Sequence, residues 1–86
     1  MFKSVTFDVL ADAEPGLLPR VLTPFARRDI AVDQMRARRH GEVMQITLVL
    51  DAMPEDAVHL VEGNLRQIVG MRRVEVMLRA HGRAVA

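Results

Sequence analysis

A four-stranded antiparallel sheet carrying two helices on one face, in the order β-α-β-β-α-β, is the architecture this sequence predicts. Three observations carry the prediction. Three stretches alternate their apolar residues at strand spacing with a fourth, more polar one joined to the second of them by a hairpin turn, two stretches repeat them at helical spacing, and 86 residues leave room for only one domain. In a chain this short that order closes into a ferredoxin-like sandwich, and right-handed crossovers place the first and third strands in the centre of the sheet.

The first strand spans residues 3–10, with Val5, Phe7 and Val9 on one side and Thr6 and Asp8 on the other. Residues 16–28 then carry Leu17, Leu18, Val21, Leu22 and Phe25 at the spacing of one helical stripe. Pro19 falls in the first turn, where its missing N–H has little effect. Pro24 falls in the interior and removes a hydrogen bond at a cost of about 3 kcal/mol, which predicts a kink or an early end near residues 20 to 24.

A hairpin follows, with strands over 30–39 and 42–50 and a turn at His40-Gly41. Met44, Ile46, Leu48 and Leu50 alternate with Val43, Gln45, Thr47 and Val49, whereas the first hairpin strand carries Arg36, Arg38 and Arg39, as suits a protected sheet edge. Met53-Pro54-Glu55-Asp56 opens the second helix, since proline is tolerated at a helix start and carboxylates complement its dipole there. Ala57, Val61, Leu65 and Ile68 form its stripe, with Val58 and Val69 beside it and Gly70 as the stop signal. The last strand covers 72–79 and aligns Val74, Val76 and Leu78. The domain is thus expected over 1–79, and the patternless residues 80–86 are expected to fray.

Composition narrows the function. Half the residues are hydrophobic but only three are aromatic, all Phe, so the core is built from Val, Leu, Ile and Met. Such a small core gains from oligomerisation. Without cysteine, neither disulfides nor thiolate metal sites form. Twelve basic against eleven acidic residues leave a net charge of +1, which argues against nucleic-acid or membrane-surface binding. No apolar run reaches the ~20 residues of a membrane span. Residues 1–5 run into a strand pattern rather than a signal peptide, so a cytoplasmic protein is expected.

Catalysis is not expected either. Ser4, Thr6, Thr23 and Thr47 assemble no nucleophile with a matched base, and no glycine-rich phosphate loop is present. An amide for acylphosphatase-like chemistry is lacking too, because Asn64 sits in a helix pattern. His40, His59 and His81 have no ligand spacing, so no metal and no cofactor is implied, and His59 reads as a partly buried helix residue. The helix-free sheet face would carry Thr6, Leu10, Val43, Thr47, Val49 and Met77, apolar enough for a partner or a second copy to cover part of it. The Arg36, Arg38, Arg39 and His40 cluster reads as a solvated edge, or as a contact for phosphate or an acidic surface.

The most informative stretch is Asp12-Ala13-Glu14-Pro15-Gly16-Leu17-Leu18, an acidic turn between the first strand and the first helix. Gly16 permits close approach to its backbone, and free N–H groups of the helix start can meet a carboxylate, as in a small-ligand site. Pro15-Gly16 serves equally well as a plain turn into the helix.

The run from Val9 to Arg28, with its strand, acidic turn, Pro-Gly, leucine-rich helix, Phe25 and basic pair, resembles the start of an ACT domain, and in particular the small regulatory subunit of acetolactate synthase. Residues 30–35 fall where that family has its second strand, and 64–74 are similar to its second helix and final strand. The resemblance covers residues 4–78. It implies a non-catalytic regulatory subunit, pairing as a homodimer or higher oligomer through sheet edges. A branched-chain amino acid would bind between the turn of one copy and the neighbouring chain. The partner would be a thiamine-diphosphate-dependent catalytic subunit of acetolactate synthase. By position, Asp12, Ala13, Glu14, Gly16, Leu17 and Leu18 would line the effector site, with Ala31 contributing from the second strand. The family often has asparagine where Ala13 and Ala31 stand, and glycine where Asp29 stands. The two alanines leave open a dimeric ACT interaction module without a working effector site. Many small subunits also carry a long C-terminal domain, so the match is to the shortest members or to a free-standing ACT protein.

Overall fold

The computed structural model describes residues 1–79 and contains β1 (Phe2–Asp12), α1 (Leu17–Ala26), β2 (Gln34–His40), β3 (Val43–Pro54), α2 (Glu55–Arg66) and β4 (Met71–Arg79). The strands form one antiparallel sheet in the order β2-β3-β1-β4, with the first and third strands central as the crossovers require. This is the ferredoxin-like fold expected. The tail 80–86 lies outside the described residues.

Alternation decides which face is buried. Val5, Phe7, Val9 and Ala11 of β1 and Ile46, Leu48 and Leu50 of β3 are all buried on the helix side. Met53 joins them although it lies three residues beyond Leu50, because β3 carries one extra residue opposite the step from Lys3 to Val5, a bulge that restores the buried phase. The α1 stripe of Leu17, Val21, Pro24 and Phe25 packs onto this surface with the α2 stripe of Ala57, Val58, Val61 and Leu65. Phe7 and Phe25 meet edge to face, with ring centroids 5.4 Å apart. On the opposite face Thr6, Leu10, Val43, Thr47 and Val49 are half-buried and Met77 is exposed, and no helix among the described residues covers them.

Several local expectations are corrected. Helix α1 does not stop at Pro24 but continues to Ala26. Pro24 is buried in the stripe, and the carbonyl deprived of a partner belongs to exposed Arg20, so burial outweighs one missing bond. The helix closes through Asp29 in the left-handed region (φ 55°), with the Ile30 N–H donating to the Phe25 carbonyl (3.0 Å) and the Asp29 N–H to that of Ala26 (3.1 Å). This is a Schellman closure, capped by contact of two buried residues, Phe25 and Ile30. Residues 30–33 therefore complete the helix end and the approach to the edge, and β2 begins only at Gln34.

Helix α2 ends at Arg66, and Gly70 (φ 89°) instead forms the third position of a turn closed by the Met71 N–H on the Ile68 carbonyl at 3.0 Å. A positive φ at that position is the mark of a type II turn. Because the helix ends early, Val69 swings out and is 85% exposed. His59 is exposed rather than partly buried, since the α2 stripe passes through Val58 and Val61 and leaves it on the outer side. Leu78 is also exposed, at the end of an edge strand.

Gly63 lies inside α2 with open space where a Cβ would stand and no positive φ. Gly63→Ala is expected to stabilise the domain by about 0.5–1 kcal/mol, raising the thermal midpoint by several degrees in a circular-dichroism melt. A lowered midpoint would contradict the open space at this position.

Candidate functional site at the β1–α1 turn

Three connections meet at one end of the sheet. The β1–α1 turn (residues 12–16) lies between the β2–β3 hairpin tip and the α2–β4 turn, because the Ala13 N–H donates to the Glu42 carbonyl (2.8 Å) and the Asp12 N–H to that of Gly70 (2.9 Å). The hairpin tip is a two-residue loop whose Gly41 takes φ 62°, as tight hairpins favour. Main-chain bonds thus hold the predicted turn on both sides.

Asp12 is committed within the chain. Its Oδ1 accepts from Arg72 Nε (2.8 Å), and Nη2 of the same guanidinium lies 2.7 Å away in the ion pair. Strand β4 carries one extra residue, Arg72, opposite the step from Leu10 to Ala11, and a bulge of this kind re-aims a side chain. The pair is half exposed, so it contributes at most about 1 kcal/mol and serves chiefly to orient the carboxylate. A Cβ on Gly70 would stand 3.2 Å from both Cβ and Oδ2 of Asp12.

The remaining predicted residues divide by burial. Leu17 is buried in the core and Leu18 packs partly against it, while Glu14 is exposed. The free N–H groups expected at the helix start are fewer than the sequence suggests: the Leu17 N–H donates to the Glu14 carbonyl (3.0 Å) and Pro19 has none. Among the described residues, Gly16 and Leu18 keep N–H groups without a backbone partner. The close approach that Gly16 permits is used by the protein itself, because the Arg20 guanidinium lies 3.4 Å from where a Cβ would be.

Ala31 is not brought to this turn within one chain. It precedes β2, whose first residue, Gln34, is in register with Val49 and through it with Thr6, whereas the turn follows Asp12. Six residues of strand separate those levels, about 20 Å. Only a second copy could bring Ala31 alongside the turn.

Sequence reasoning missed Arg72 and Arg20. The β1–β4 pairing would have placed Arg72 near Asp12, and the i, i+4 spacing places Arg20 over Gly16. The Arg36, Arg38 and His40 side chains share the helix-free face, in register with Thr47, Gln45 and Val43, while Arg39 lies on the other side and donates to the Gly41 carbonyl (2.8 Å). Among the described residues there is no cluster of metal-ligating side chains and no helix long and apolar enough to cross a membrane.

A family model described as ACT-like domain matches residues 3–83. Among solved structures, the ACT domain from GTP pyrophosphokinase of Chlorobium tepidum superposes with TM-score 0.76 at 12% identity, covering 90% of this chain and 100% of that one. An uncharacterised protein from Thermotoga maritima gives 0.74 at 18%, covering 91% and 98%. The regulatory subunit of aspartate kinase from Thermus thermophilus, in a ligand-free form, gives 0.61 at 21%, covering 90% of this chain and 50% of that one. Curated protein sequences give no match. At these identities the structural likenesses establish the fold alone.

Proposed function

The chain belongs to the ACT-like domain family, and from that premise we propose that it is the small regulatory subunit of a biosynthetic enzyme, sensing an amino acid at the β1–α1 turn. An ACT domain is a regulatory, non-catalytic unit, so the chemistry belongs to a partner. The sequence resemblance of residues 9–28 and 64–74 favours acetolactate synthase as that partner and a branched-chain amino acid as the effector.

One observation carries the reading: three connections converge on the predicted turn, while β2, which Ala31 precedes, begins about 20 Å along the strands from it. A site needing both is completed by a second copy, and β2, exposed at every residue, has an outer edge unpaired among the described residues, on which one can add. Effector binding would then favour one arrangement of the pair, and linkage would pass that preference to the catalytic partner. A cytoplasmic setting fits this role.

A second reading has support of its own. Ala13 and Ala31 offer no side-chain hydrogen bond, and Asp12 is already engaged by Arg72. These features favour a dimeric ACT interaction module without an effector. An amide NMR titration with valine, leucine, isoleucine and other amino acids separates the two. Saturable shifts at Glu14, Gly16, Leu17 and Leu18 are expected of the sensor. Unchanged spectra at millimolar ligand would reject it in favour of the interaction module, and co-purification with a catalytic subunit would test the enzyme partnership.

A further inference from the structure

Helix α1 and the end of α2 enclose an open groove of about 530 Å³ on the helical side of the domain. It is formed within one chain and needs no second copy. Arg20 and Arg27 line it from α1 and its C-terminal cap, and a separation of seven residues places them on one helix face with about 10 Å of axial rise between them. Asn64 and Gln67 line it from the last turn and cap of α2.

Among the described residues, neither arginine forms an ion pair and none of these four side chains makes a hydrogen bond. Arg66, Arg72 and Arg73 each have a carboxylate partner, whereas Arg20 and Arg27, like the edge-strand Arg36 and Arg38, have none among the described residues; what distinguishes these two is that they line the groove together. Two arginines and one glutamate, Glu14, leave the lining with a charge of +1. The Arg20 guanidinium rests over Gly16, 3.4 Å from where a Cβ would stand, an ordinary van der Waals distance.

We infer that this groove is a binding site for a small organic anion bearing a carboxylate or phosphate. Guanidinium groups present paired donors that match the oxygens of either group. The amides of Asn64 and Gln67 supply donors and acceptors for the remainder of the ligand, and Ile68 and Val69 give it an apolar wall. The site goes beyond the amino-acid reading of the turn, because its cations lie on α1 and it is complete in a monomer.

The test titrates the purified protein, followed by amide NMR, with inorganic phosphate and separately with succinate, each against sodium chloride at equal ionic strength. Saturable shifts at Gly16, Arg20, Asn64 and Gln67 are expected with at least one of the two, and the stronger identifies the anion class. Arg20→Gln is expected to weaken that binding about tenfold or more, the effect of losing a charge-assisted contact. Arg79→Gln, at the end of β4 and away from the groove, is expected to leave it unchanged. Shifts that chloride reproduces, or equal effects of the two substitutions, would overturn the inference by reducing the binding to general attraction. Because the probes are not amino acids, failure here leaves the sensor reading of the turn standing, and the reverse also holds.

Discussion

Phe7→Ala is expected to remove a large part of the stability of this domain. Phe7 is fully buried at the centre of β1, in register with Leu48 of β3 and Val76 of β4, and its ring meets Phe25 of α1 edge to face. Truncating such a side chain costs about 3–5 kcal/mol through lost transfer energy and the cavity left behind. The lost ring pair accounts for roughly 0.5–1.5 kcal/mol beyond burial. An 86-residue domain has on the order of 4–13 kcal/mol in total. With three Phe and no Trp or Tyr, no other aromatic stands ready to fill the space. Urea unfolding followed by circular dichroism measures the loss. A change below about 1 kcal/mol would mean that Phe7 is not at the centre of a packed core. Phe7→Leu, which keeps most of the volume, should lose much less.

Gly70→Val is expected to have the second largest effect, and it acts on the candidate site as well as on the fold. Gly70 sits at φ 89°, and a Cβ there would press on Asp12 at 3.2 Å. Backbone strain of this kind costs about 1–3 kcal/mol, and a β-branched side chain tolerates it poorly. Relief requires Asp12 to move, which loosens both the Asp12 N–H bond to the Gly70 carbonyl and the Arg72 contact. The combined loss is expected at roughly 2–4 kcal/mol in the same unfolding measurement. Amide shifts in the folded variant should concentrate on the turn and the start of β4. An unaltered midpoint, with the turn resonances undisturbed, would show that this corner does not depend on a bare backbone at 70.

These two sites differ in how visible they are in the sequence. Phe7 is legible because Val5, Phe7 and Val9 repeat with the period of a strand, and that pattern identifies the buried face without knowledge of the neighbours. The same holds for Ile46, Leu48 and Leu50, and for Val21 and Phe25 at helical spacing. The Asp12 environment is not legible in this way. Arg72 lies sixty residues away, and it reaches Asp12 because β4 bulges by one residue opposite Leu10 and Ala11. Nothing local in either segment encodes that register.

Within the turn, the acidic residues and Pro15-Gly16 located the connection between β1 and α1, but not what each residue does there. Gly16 reads as an opening for a ligand, yet the Arg20 guanidinium occupies that approach. Leu17 reads as a lining residue, yet the helix stripe carries it into the core. Ala31 follows the helix closely in sequence and still lies at the far end of the sheet from the turn.

By itself, the sequence determined the order of elements, the buried face of each central strand and the two helical stripes, because hydrophobic periodicity records how one element meets the core. Handed crossovers then left one strand order. Only the tertiary structure decided the Asp12–Arg72 contact, the separation of Ala31 from the turn and the placement of Arg20, Arg27, Asn64 and Gln67 along one groove. Those arrangements join different elements, and they depend on strand register, bulges and helix ends, which packing of the whole chain selects.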